Sequence, residues 1–127
     1  MTQEQKDLLL KDLCARLPYG VKYSDTLNPK EQPSILESID ACGLVMNTNG
    51  DSHYTEYIKP YLRPMSSMTE EEENEYRSID NKSYCCPMAL AHIPASNRID
   101  WLNKHQFDHC GLIPIGLAID ATGLNIY

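Results

Sequence analysis

Six side chains with metal-ligand or nucleophile chemistry fall in the second half of this chain: Cys85, Cys86, His92, His105, His109 and Cys110. His105 and His109 stand four apart, a spacing that suits two zinc ligands on one helix face. Against zinc, there is no C-x2-C knuckle, and adjacent cysteines such as Cys85 and Cys86 rarely hold one ion together. Phe107 and Gly111 also predict that the helix ends about where His109 falls. The sequence therefore assigns no metal and no cofactor. A cysteine nucleophile would need Cys85, Cys86 or Cys110 beside His92 or His109, with an acid such as Asp108. No Gly-rich elbow and no cysteine at a helix start is present to activate a thiol. The run Glu70–Glu73 lies on an exposed helix, without the burial that makes a carboxyl a general acid. There is no P-loop, no G-x-G-x-x-G and no G-x-S-x-G. An enzyme is the weaker reading. Its remaining form is a small enzyme or ligand-sequestering protein with a pocket near His92, Trp101, His105 and His109.

A second constellation is basic and aromatic: Tyr57, Lys59, Tyr61 and Arg63, with Tyr54 nearby. Tyr and Arg dominate binding hot spots, so this ridge is the candidate partner-binding surface. The plainer account packs the rings under the chain and pairs Lys59 and Arg63 with the Glu run. Residues 69–80 hold six acids against one Arg, so most of the net charge of −7 is local to one face. Direct binding of nucleic acid needs clustered Lys and Arg and is not expected. No run approaches the roughly 18 apolar residues of a membrane span. The start has no signal-peptide core and the five cysteines are odd in number, which together predict a reduced, cytoplasmic protein.

The elements that must position these residues read as follows. Thr2 with Gln5 forms a capping box for a helix over 2–17, with an apolar stripe of Leu10, Leu13, Cys14 and Leu17 widened by Leu9. Cys14 is expected in the core, Asp7 with Lys11 as an i, i+4 pair, and Pro18 and Gly20 as the stop. Alternation then predicts strands over 21–27, 34–40, 43–48 and 53–58, with Asn49–Gly50 as a hairpin turn. Pro60 and Pro64 argue against a helix or a central strand over 58–64. Thr69 with Glu72 caps an acidic helix ending near Asp80. Residues 83–95 give no clear period and close at Pro94. A third helix is expected over 97–107, capped by Ser96 or Asn97 and stopped by Gly111. A helical turn and a closing strand follow over 112–119. The sum is an α+β fold in a single domain, 1–127. An N-terminal helix and a small antiparallel sheet, SH3-like in one form, fill 1–64; a mainly helical half with two C-terminal helices fills 65–127.

Three stretches carry a resemblance: LLLKDLCARLPYGVK at 8–22, IKPYLRPMSSMTEEE at 58–72 and DWLNKHQFDHCGLIPIGLAI at 100–119. They resemble a set of small uncharacterised proteins encoded in gut bacterial genomes, largely in prophages and mobile elements. The resemblance covers both ends and the middle of the chain but not 24–57. It brings no activity and no catalytic residue. Relatives tend to carry a Tyr-Arg pair where this chain has His109–Cys110, so a metal site there would not be a family-wide feature. The resemblance, the absent catalytic motifs and the Tyr/Arg-rich crossing beside the acidic helix together predict a non-enzymatic intracellular interaction protein of a phage or mobile element that binds a host or phage protein. A structural virion or scaffold component is a further alternative.

Overall fold

The computed structural model describes residues 2–26, 33–79, 93–124 and 126–127, with backbone alone for 93–97. Helix α1 (Gln3–Arg16) opens on the Thr2–Gln5 capping box, whose two reciprocal hydrogen bonds are both formed. The chain then makes a short 3-10 turn over Leu17–Tyr19 and leaves it through Gly20 in the left-handed region. Strands β1 (Lys22–Asp25), β2 (Ser34–Ile39), β3 (Leu44–Asn47), β4 (Ser52–Tyr54), β5 (Ile58–Leu62) and β6 (Ile119–Asp120) make one sheet in the order β4-β3-β2-β1-β5-β6. All neighbours are antiparallel except β5 and β6. Helices α2 (Glu70–Ser78) and α3 (Ile93–Lys104) are the two α-helices among the described residues of the C-terminal half, which opens on a 3-10 turn at Met65–Ser67.

The fold is α+β, and several elements differ from expectation. The buried face of α1 is Leu9, Asp12, Leu13 and Arg16, while Cys14 is exposed. The stripe is rotated because Asp12 and Arg16 neutralise each other at i, i+4 and enter the core with the leucines. Asp7 accepts from the Gln3 amide. The strand expected over 53–58 is two strands. A 3-10 turn at Thr55–Tyr57 divides β4 from β5, and the buried Thr55 hydroxyl ties that turn to Gly43 O. β5 is then an interior strand despite Pro60, because the ladder's alternation turns the missing N–H away from β1. On that other side, two-residue β6 pairs only with Tyr61 and Leu62.

Helix α3 starts four residues earlier than expected, with Pro94 in its first turn, where a missing N–H costs nothing. It also stops earlier. Gln106 takes φ 62°, donating its N–H to Asn103 O at 3.1 Å, and Phe107 N–H donates to Leu102 O at 2.9 Å. That bond pair is a Schellman cap with Gln in the position usually held by Gly, so Gly111 is not the stop. Residues 83–92, which gave no clear period, lie outside the described residues.

Leu9, Leu13, Val21, Tyr23, Leu36, Val45, Ile58, Leu62 and Leu112 form the main core between α1 and the inner sheet face. Trp101, Leu102 and Phe107 form a second cluster with Met68, Tyr76 and Ile79. Tyr127 bridges β1 and β5. The Tyr127 hydroxyl accepts from Lys22 N–H and donates to Tyr61 O, both at 2.8 Å, where the next β1–β5 rung would form. Burial of that hydroxyl pushes its pKa up to about 12.

Candidate functional site

Among the described residues, a group of chemically capable side chains lies where α1 meets the loop after α3. α1 supplies Asp12 and Arg16. The Schellman turn supplies the reversal that carries residues 107–110 back against α1. Arg16 Nε donates to Asp12 Oδ2 at 2.8 Å and Nη2 to Asp12 Oδ1 at 3.2 Å. Nη2 also donates to Phe107 O, 91 residues away. Arg16 is fully buried, so its charge is balanced by Asp12 and a carbonyl rather than by water. Asp108 holds the next turn, accepting from Leu112 N–H at 2.8 Å and Ile113 N–H at 2.9 Å. The Gln106 side chain donates to Tyr19 O at 3.1 Å, fixing the turn to the end of α1.

Asp12, His109 and Cys110 each place a ligand-capable atom within 4.8 Å of the other two. His109 Nδ1 is 3.5 Å from Cys110 Sγ, and His109 Nε2 is 2.8 Å from Asn103 Oδ1. Asn103 is buried on α3. Its amide oxygen only accepts, so Nε2 carries the proton and Nδ1 presents its lone pair toward sulfur. This resembles the hand-off from a thiol to a base, but the electrostatics oppose it. Burial lowers the His109 pKa, with the Arg16 charge adding to the effect. Burial and the Asp12 carboxylate raise the Cys110 thiol. Both groups are held neutral, the reverse of an activated thiolate–imidazolium pair.

The residues of the expected pocket divide. Trp101 stacks on Phe107 at 5.7 Å and 13°, lies 4.3 Å from the His105 ring, and donates Nε1–H to Glu75 at 3.0 Å. His109 instead joins Asn103, Cys110 and Asp12. His105 and His109 share no helix, since α3 ends at Lys104; the spacing argument for zinc falls with it. His92, Cys85 and Cys86 lie outside the described residues.

The aromatic and basic ridge also divides. Arg63 forks onto Glu72 at 2.7 and 2.8 Å and lies 4.2 Å over the Phe107 ring. That pairing holds Glu72 down to a pKa of about 2. The Arg63 backbone is equally engaged: its N–H donates to Gln106 O and its carbonyl accepts from Asp108 N–H. Lys59 and Tyr61 alternate with the buried Ile58, Pro60 and Leu62 and are half-buried on the outer face. Tyr57 is exposed, as is Tyr54 on β4. Sequence reasoning had His109 and Cys110 but missed Asp12 and Asn103. The only available signal was a charged pair, Asp12 and Arg16, at the spacing of the leucine face.

Compared with protein-family models, curated proteins and solved structures, the chain matches none of them. Among the described residues no helix is long and apolar enough to cross a membrane.

Proposed function

We propose that the chain is a non-enzymatic, cytoplasmic interaction protein of a phage or mobile element, and that it binds a host or phage protein. The observation that carries this is the exposure of Tyr54 (62%) and Tyr57 (39%) beside an edge strand. Among the described residues β4 has β3 as its only neighbour in the strand order, and Leu44 and Met46 share the outer face with Tyr54. Large rings held by a rigid edge offer contact area at low entropic cost, and an unpaired edge accepts a partner's extended segment. Lys59 and Tyr61 lie on β5, separated from β4 by three strands in the strand order, and join this surface in the proposal through Tyr57, which directly precedes β5. Arg63 belongs to the internal pair with Glu72 and positions the ridge rather than touching the partner. An SH3-like curl of the sheet belongs to the same reading. His53 of β4 reaches Asp25 of β1 at 3.2 Å and the Tyr23 ring at 5.8 Å, as a curling sheet would allow.

The test is gentle purification from the native host followed by native mass spectrometry, repeated with a Tyr54→Ala/Tyr57→Ala variant. The expected result is a co-purifying protein mass that the variant loses while its circular dichroism is unchanged. Retention of the partner at full yield by the folded variant refutes the surface. A ladder of homo-oligomer masses would instead favour a virion or scaffold component.

A further inference from the structure

We infer that Asp12, His109 and Cys110 form a three-ligand site for a borderline-soft divalent cation of the Zn²⁺ class. Each supplies a donor that such an ion takes: carboxylate oxygen, imidazole nitrogen and thiolate sulfur. Their spacing fits. In a tetrahedral site with Zn–S of ~2.3 Å and Zn–N of ~2.0 Å, sulfur and nitrogen stand roughly 3.5 Å apart, and here His109 Nδ1 and Cys110 Sγ are 3.5 Å apart. The third donor, on Asp12, completes the triangle within 4.8 Å.

The surroundings fit as well. A metal-bound histidine gives its other ring N–H to a fixed acceptor that sets its tautomer and plane. Buried Asn103 does this for His109 at 2.8 Å, leaving Nδ1 free to coordinate. Asp12 is pinned by Arg16, each carboxylate oxygen spending one lone pair on that fork, and the Cys110 thiol hydrogen-bonds to the same carboxylate, a bond that the ion would replace. Cys110 is exposed, which gives the ion an entry path and leaves a fourth position for water. On binding, the thiol proton passes to solvent as the sulfur–metal bond forms, so affinity rises with pH. Asp12 sits on α1 and the other two ligands beyond α3, so the ion would staple α1 to the loop after α3.

The experiment is a titration of the full, metal-free, reduced chain with Co²⁺, then displacement by Zn²⁺, with thermal unfolding followed in parallel. The expected result is one Co²⁺ per chain, a near-ultraviolet sulfur-to-cobalt band with visible bands of four-coordinate intensity, and a Zn²⁺-dependent rise in Tm. Cys110→Ser, at an exposed position, should remove the sulfur band and the Tm response. Asn103→Asp, which keeps an acceptor, should retain binding, whereas Asn103→Ala should weaken it by about 10–100-fold. His109→Gln gives a second test should Cys110→Ser fail to fold. Cys85→Ser/Cys86→Ser should leave the band intact. Absence of the band in the native chain, its survival in Cys110→Ser and His109→Gln, or its loss in the Cys85/Cys86 variant overturns the assignment.

Discussion

Helices α1 and α2 are built to one plan and put to different use. Each opens on a Thr capping box with a Gln or Glu partner, and each carries an acid four residues before an arginine. In α1 that pair, Asp12–Arg16, has no exposed side-chain surface; in α2 the Arg77 and Glu73 side chains are 71% and 47% exposed. The same chemistry therefore differs in consequence. A buried pair is a desolvated unit whose halves cannot be removed singly, while an exposed pair exchanges freely with water. Burial, not spacing, decides whether an i, i+4 pair shapes the fold.

The sharpest way to break this contrast is Arg16→Ala. It leaves the Asp12 carboxylate uncompensated and Phe107 O without its donor, and should cost about 3–5 kcal/mol in urea unfolding. The double variant Asp12→Leu/Arg16→Met should recover most of that loss, because no unpaired charge remains. Glu72→Gln comes next, at about 1 kcal/mol near neutral pH, after allowing for solvent screening of a partly open pair. Its pH signature is the better readout. Glu72 has a folded pKa of about 2, below its unfolded value, so its contribution is present above about pH 5 and is lost as pH falls toward 2. The variant should show a flatter acid limb, and an unchanged limb would refute the role given to Arg63. Gln106→Ala keeps the left-handed strain and loses the bond to Tyr19 O, for about 1 kcal/mol. Gln106→Gly relieves the strain as it loses the bond, and should melt close to the native chain. Arg77→Ala is the smallest, under about 0.5 kcal/mol, and should vanish in high salt.

Much of the fold was legible where neighbours in sequence are neighbours in space. Both capping boxes and the Asn49–Gly50 turn depend on residues within four positions of one another. The errors arose where packing overrode local preference. Pro60 sits in an interior strand because a two-residue partner asks nothing of its missing N–H. The stop of α3 is at Gln106 because its side chain has a partner on Tyr19, a benefit no propensity registers. Cys14, expected in the core, is exposed, and Arg16 is buried because Asp12 supplies a counter-charge on the leucine face. The candidate site was half legible for the same reason. His109 and Cys110 are visible as residue types, but their third companion comes from α1, and only tertiary packing brings it there.

The Tyr127 hydroxyl stands in for a rung of the β1–β5 ladder, so the last side chain serves as a fastener in the middle of the sheet. Removing that hydroxyl, as in Tyr127→Phe, would open the seam without altering either strand. Solvent deuterium would record the difference. The Lys22 amide, sheltered by a phenol rather than by a carbonyl, should exchange at the rate at which the tail lifts.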